Sequence, residues 1–299
     1  MRFAPCERSE FLREIHMSKL FDPNYLKFLC KKYGLVPSRK YGQNFLISPE
    51  PVEKMIEAAE ISPEDTIVEV GPGFGVLTFA LAEKTKEVTA FEIEKKLMPY
   101  WDGILKQVQD DKPKNIKIIW GNVLKNQNLI TEKKYKVIAN LPYQITSNLI
   151  RIFLEAENKP QSMVLMVQKE VAERICAKPG DMSVLSVSVQ YFGRPEIITN
   201  VPRSFFWPEP NVDSAVIKIS IHEAHDTNRG ELFFKIVKAG FASKRKMLIK
   251  NLEVLAGKNN KTKLLQIFKE LGLNEKCRAQ ELSVGDWGKL AEATYPLIC

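Results

Sequence analysis

Apolar residues recur along this chain with two alternating periods. Thr66-Ile67-Val68-Glu69-Val70 is a short β-branched run that stops at Gly71, and it predicts a strand. Further strands are predicted at Val88–Phe91, Ile116–Trp120, Lys136–Ala139 and Met163–Val167. Helical spacing fills the intervals: residues 50–60 after a Ser48-Pro49 start signal, then Val76–Lys84, Lys95–Gln107, Thr146–Glu155 and Lys169–Ala177. Strands alternating with helices predict a parallel sheet covered on both faces. Ser183–Phe192 alternates Ser and Val, which scores as strand by period, but its place between helix and strand favours helix. Glu196–Val201 and Ala215–Ile221 read as two late strands forming a hairpin at the sheet edge, with the turn Pro208-Glu209-Pro210 between them. After the polar stretch His222–Gly230 only helical patterns remain: Leu232–Phe241, Lys244–Leu255, Lys261–Leu271 and Val284–Ala293. The expected organisation is an extension over 1–37 with one short helix near Pro23–Tyr33, an α/β domain over 38–225 and an all-helical domain over 230–299.

The 299 residues are 44% hydrophobic and 27% charged, an ordinary globular composition that excludes disorder as the main state. No apolar run reaches the roughly 18–20 residues of a membrane helix, so no membrane association is expected. The first forty residues lack the apolar core of a secretory signal. Cysteines at 6, 30, 176, 277 and 299 form no CxxC pair, so the expectation is reduced thiols in a cytoplasmic protein, with no metal. The net charge of +8 is unevenly placed. Lys27, Lys31, Lys32, Arg39 and Lys40 lie in a stretch without an acid, and so do Lys235, Lys238, Lys244, Arg245, Lys246 and Lys250. One such run is commonly a solvated helix face. Two in one basic chain suggest a phosphate-bearing partner, a nucleic acid.

Candidate chemistry starts at Gly71-Pro72-Gly73-Phe74-Gly75, which follows a strand and opens a helix. The spacing is Gly-x-Gly-x-Gly, not the dinucleotide fingerprint, and no Gly-Lys-Ser/Thr follows, so pyrophosphate is disfavoured. Glu92 ends the next strand, 21 residues after Gly71, where a carboxylate can accept both ribose hydroxyl protons of a nucleoside. A nucleoside cofactor without phosphates is indicated, and S-adenosylmethionine fits. The fourth strand runs into Asn140-Leu141-Pro142-Tyr143, at a strand end that faces the ligand crevice of an open sheet. A strand-ending turn explains Asn and Pro by itself. The tetrad also has a chemical use. An exocyclic amine on adenine delocalises its lone pair into the ring, and two acceptors can draw its hydrogens out of plane. The Asn140 side-chain oxygen and the Leu141 carbonyl could be those acceptors. Pro142 stiffens the loop, and the Tyr143 ring offers a face for stacking on the base.

With these residues in view, the chain resembles the ribosomal RNA adenine N6-dimethyltransferase family, specifically its small-subunit (16S) branch of the kasugamycin-resistance type. The resemblance runs from about Arg39 to the C-terminus. It rests on Tyr41-Gly42-Gln43-Asn44-Phe45-Leu46, Glu69–Gly75 with Glu92, Asn140–Tyr143, Gln168-Lys169-Glu170-Val171, the Phe206–Ser214 Phe/Pro segment and Phe241–Lys246. It implies a Rossmann-like class I S-adenosylmethionine-dependent methyltransferase sheet with a small C-terminal all-helical domain. It implies that Asn44, Leu46, Gly71, Gly73, Glu92 and Asn140 hold the cofactor and that Asn140–Tyr143 is catalytic. Phe206 would pack on the far face of the target base. Lys40, Lys244, Arg245 and Lys246 would contact RNA. Asn122 stands where the family usually carries an Asp that receives the cofactor's adenine amine, and its carbonyl oxygen can still accept that bond. The implied substrate is two adjacent adenosines of a 3′-terminal loop in immature small subunits, modified by a monomer. Residues 1–37 have no assignable counterpart and read as either an RNA-contacting arm or a tail. Three other readings stand beside this one: a large-subunit (23S) methylase conferring macrolide resistance, a catalytically weak ribosome-assembly factor, and a small-molecule or DNA methyltransferase, which the basic second domain disfavours.

Overall fold

The computed structural model describes residues 18–37, 43–107, 115–222 and 227–298, and β-branched runs and amphipathic stretches alternate there in chain order. Helix α1 (Pro23–Lys32) starts at Asp22, whose carboxylate accepts the Asn24 N–H at 2.8 Å. There follow β1 (Phe45–Leu46), α2 (Glu50–Ala59), β2 (Thr66–Val70), α3 (Val76–Ala82), β3 (Glu87–Glu92), α4 (Met98–Gln107), β4 (Ile116–Trp120) and β5 (Lys136–Asn140). Next come α5 (Thr146–Glu155), β6 (Ser162–Gln168), α6 (Lys169–Ile175), α7 (Val184–Phe192), β7 (Gly193–Val201), β8 (Phe206–Trp207) and β9 (Ser214–Ile221). Helices α8 (Thr227–Gly240), α9 (Leu248–Ala256), α10 (Lys261–Glu270) and α11 (Val284–Ile298) complete the chain. None of the described helices is long and apolar enough to cross a membrane.

The main sheet has the order β4-β3-β2-β5-β6-β9-β7, and a separate ladder joins β1 to β8. The chain lays β2, β3 and β4 outward in one direction, then restarts beside β2 with β5 and β6, all parallel. The carboxyl ends of β2 and β5 therefore flank a topological switch point, the place where open α/β sheets open a crevice. β9 and β7 are neighbours at one edge of the sheet, where the hairpin of two late strands is expected. β9 runs antiparallel to β6, from Ser162↔Ser220 to Gln168↔Ser214. Residues 202–213, which lead from β7 to β9, hold only a 3-10 turn and β8. A parallel return would need a helical crossover of a dozen or more residues.

The chain divides into two compact units. One holds the described residues through Lys169 together with Glu196–Ser220, the other Glu170–Pro195 together with the described residues from Ile221 onward. This division differs from the expected boundaries. The expected 38–225 domain takes in Glu170–Pro195, yet Met182 and Val187 of that segment pack with Phe233, Ile236, Leu248 and Trp287. The Gln280 carbonyl also accepts the Gly180 and Met182 N–H groups. The ambiguous Ser183–Phe192 is a helix. Its start is a capping box in which Ser183 and Ser186 exchange side-chain and backbone hydrogen bonds.

The described part of the N-terminal extension belongs to a packed core, which corrects its reading as a tail. Leu26, Leu29 and Cys30 form the buried stripe of α1, and with Leu20 and Leu35 they pack against Phe74, Leu97, Tyr100 and Trp101. In the second unit, Lys244, Arg245 and Lys246 lie exposed in a turn, and the expected helix over Lys244–Leu255 starts only at Leu248. Buried Asn251 holds that turn: its amide donates to the Gly240 carbonyl at 2.6 Å and the Ser243 carbonyl at 3.1 Å. Asn251→Ala leaves the buried Gly240 carbonyl unpaired, so we expect a stability loss of about 1–3 kcal/mol in urea unfolding.

Candidate active site

Among the described residues of the first unit lie a first and a second cavity, each of about 310 Å³. The first lies over the switch point. Gly71, Gly73 and Glu69 line it from β2 and the turn behind it, Glu92 from β3, Asn122 from the segment after β4, and Asn140 from the end of β5. Asn44 and Leu46 line it from the β1 side. Every residue expected to hold a cofactor therefore faces one space.

The glycine turn is built for close approach. Gly71 has φ +75°, which L side chains rarely adopt, and a Cβ there would meet no atom within 4 Å. Its outer side is open for a ligand. Gly75, the third glycine of the Gly-x-Gly-x-Gly spacing, serves packing instead: a Cβ there would lie 2.7 Å from Phe79 and 2.8 Å from Trp101. The turn's carbonyls are clamped from α4. The Tyr100 hydroxyl donates to the Phe74 carbonyl at 2.7 Å, and the Trp101 indole N–H donates to the Gly73 carbonyl at 3.0 Å. Such tethering preorganises the turn at little cost when a ligand arrives.

Two buried carboxylates face the cavity. Glu92 Oε1 accepts the Ile93 and Glu94 N–H groups, each at 2.8 Å, and Oε2 accepts the Gly73 N–H at 3.2 Å. Burial pushes its carboxyl above the usual range, and those three N–H donors oppose the shift. Glu69 is 2% exposed, and its Oε2 has no hydrogen-bond partner. Burial, with the Glu92 charge adding, raises its carboxyl to about 8. An orphaned buried carboxylate oxygen beside a cavity suits a cationic ligand. In the sequence Glu69 stands out only as the start of the glycine turn. The signal was its charge inside a β-branched run, but all five residues of β2 are buried, so alternation gave its side chain no direction. Leu20, Leu26 and Leu35 also line this cavity and were likewise missed. Asn122 caps a 3-10 turn, with Oδ1 accepting the Leu124 N–H at 3.0 Å, so one of that oxygen's two acceptor sites is already used.

The second cavity shares Gln43 and Asn44 with the first. Tyr143, Gln168 and the loop Pro208–Val212 line it as well. The tetrad thus reaches both spaces, Asn140 and Pro142 at the first and Tyr143 at the second. Leu141 is buried and its N–H donates to the Met166 carbonyl at 3.1 Å, so its backbone is anchored to β6. The Thr146 hydroxyl donates to the Pro142 carbonyl at 3.2 Å. Tyr143 Oη and Ser214 Oγ share a hydrogen bond of 2.9 Å. Burial raises the Tyr143 phenol above its ordinary range, with the Ser214 bond opposing and the Asp213 charge adding. Asp213 braces the same wall: Oδ1 accepts the Arg203 N–H at 2.9 Å, and its carbonyl accepts the Lys169 N–H.

Of the expected catalytic residues, Leu141 and Phe206 line neither cavity. Phe206 pairs with Leu46 in the β1–β8 ladder and lies in the core with Val52 and Val201, 3% exposed. Strand alternation sends its side chain inward and Trp207 the other way, toward Phe45. Pro208 and Pro210, close to it in the chain, are among the residues that line the second cavity. Lys40 lies outside the described residues, and Lys244–Lys246 belong to the second unit. Among the described residues no group of three or more His, Cys, Asp or Glu side chains could hold a metal ion.

Comparison with known proteins gives concordant results. The family model for ribosomal RNA adenine dimethylases matches residues 37–294. The ribosomal RNA small subunit methyltransferase A of Dehalococcoides mccartyi is 40% identical over 269 residues, 88% of this chain and 90% of that protein. A dimethyladenosine transferase from Plasmodium falciparum is similar in structure, with a TM-score of 0.74 and 28% identity over 84% of this chain and 98% of that one. The 23S rRNA methyltransferase ErmE has a TM-score of 0.67 at 24% identity, covering 84% and 99%, which shows a shared fold.

Proposed function

Because this chain belongs to the ribosomal RNA adenine dimethylase family, we propose that it transfers methyl groups from S-adenosylmethionine to N6 of adenines in small-subunit ribosomal RNA. The reading extends to two methyl groups on each of two adjacent adenosines of a 3′-terminal loop, in immature small subunits, by a cytoplasmic monomer. One observation carries it: the Asn140–Tyr143 tetrad touches both a cavity suited to a cationic nucleoside and a second cavity beside it. The 40% identity to a small-subunit enzyme favours that branch over the large-subunit one, whose likeness is a matter of fold.

The first cavity fits the donor on features of its own. Gly71 leaves room for backbone approach, and Glu92 would accept the ribose hydroxyl protons through the acceptor capacity its backbone bonds leave. Glu69 would face the ligand's positive charge, and the remaining lone pair of Asn122 Oδ1 would take the adenine amine. When bound, S-adenosylmethionine supplies a methyl group on a cationic sulfonium. The chain's own part is to hold the acceptor. Asn140 Oδ1 and the Leu141 carbonyl would take the two hydrogens of the target amine and turn its lone pair out of conjugation. Pro142 and the Leu141–Met166 bond keep those oxygens in place. The Tyr143 ring, held by Ser214, would stack on the base, a contact worth about 1–3 kcal/mol. Such positioning is the main contribution expected of the protein.

Glu69 gives the donor site a pH dependence. Below about 8 its carboxyl is mostly protonated, and a cation beside it favours the ionised form, so binding expels a proton. Affinity for the donor should rise from pH 6 to 8, by at most about tenfold per unit, and flatten above. Calorimetry in buffers of different ionisation heat reads the proton directly, and Glu69→Gln should abolish both signals.

The function is tested by offering purified immature small and large subunits with labelled donor. Label confined to small-subunit RNA as N6,N6-dimethyladenosine is the expected result. Label in the large subunit, or donor binding without turnover on either particle, contradicts it.

A further inference from the structure

Lys27, Lys31 and Lys32 line neither cavity, although they sit in the same unit. Helix α1 buries one face against Phe74 and Trp101 through Leu26, Leu29 and Cys30. Its other face carries Lys27, Lys31 and Lys32, all exposed, with no acidic residue from Pro23 through Pro37. Phe28 stands among those lysines at 55% exposure, and its ring stacks on Tyr25 with centroids 6.1 Å apart. Lysines in the last turn are favoured by the helix dipole alone. That accounts for Lys31 and Lys32 but not for a phenylalanine left in water between cations.

The face also leads toward the second cavity. The Lys27 ammonium lies 5.9 Å from the centroid of the Trp207 ring. Trp207 precedes Pro208, which lines the second cavity, and Pro37, five residues beyond the end of α1, lines it too. A strand whose base enters that cavity would leave it beside α1.

We propose that the outer face of α1 is an RNA-binding platform for nucleotides flanking the target adenine. Lys27, Lys31 and Lys32 neutralise phosphates, and Phe28 stacks on an unpaired base. Positive charge interleaved with an exposed aromatic ring is the combination that holds single-stranded nucleic acid without reading its sequence. The platform lies before residue 37, where the family model begins to match, and it rests on the proposed RNA substrate.

The test compares wild type with Lys31→Ala/Lys32→Ala and with Phe28→Ala, in full-length protein. All three positions are exposed, so folding should be retained, and donor affinity by calorimetry confirms it. Binding to small-subunit RNA is measured directly across a salt series, apart from methyl transfer. The double variant should lower the salt slope by about 1–2, and Phe28→Ala should weaken binding by at least about fivefold with little change in slope. In the methylation assay both variants should raise KM for the particle and leave kcat unchanged. RNA affinity and salt slope equal to wild type in both variants would overturn the platform. An inactive wild type that still shows these binding differences would overturn the proposed activity and support the platform.

Discussion

Asn140→Ala should lower kcat for methyl transfer by about 10²–10³-fold, while the protein stays folded and still binds the donor. The magnitude is that of removing one preorganised polar group from a reacting centre. Asn140 is suited to this role because β5 ends there, paired with Met166 of β6, and the next residue is tied back to the same strand. Its side chain is thus carried on a rigid sheet edge and not on a loose loop. Single-turnover transfer to small-subunit particles, with donor affinity measured alongside, separates a loss of chemistry from a loss of binding. A kcat within threefold of wild type would show that the amine needs no acceptor from the tetrad.

Glu92→Ala should weaken donor binding by at least about 10²-fold. Hydrogen bonds to a charged group are each worth about 1.5–3 kcal/mol, and two ribose hydroxyls are to be held. A second effect adds to the first. The Gly73, Ile93 and Glu94 N–H groups all donate to this carboxylate, so its removal also loosens the glycine turn. Thermal melting should therefore show a lower Tm without donor, and a much smaller rise when donor is added. Glu92→Gln keeps one acceptor oxygen and should fall between wild type and the alanine variant.

Much of this site is legible in the sequence because its parts lie at strand ends. Gly71, Glu92 and Asn140 each follow or end a β-branched run, and an α/β alternation brings such ends to one edge. What was not legible depends on which surfaces meet. The resemblance implies Phe206 on the far face of the base, but a two-residue pairing with β1 turns it into the core. Nothing local announces a ladder that short. Leu26, Leu29 and Cys30 have the spacing of a buried helix stripe, yet the sequence does not show that Phe74 and Trp101 lie beneath them. Helix α7 lies between sheet strands in chain order and packs with residues more than forty positions later, so order along the chain misplaced it.

The donor is expected in the cavity over β2 and β5, with Asn140 in its wall beside the acceptor cavity. A crystal structure with S-adenosylhomocysteine tests it most directly. The expected density has ribose hydroxyls on the Glu92 carboxylate, the amino group toward Glu69 and the sulfur toward Asn140. Density for the ligand elsewhere, or an Asn140 side chain turned out of that wall, would contradict this expectation.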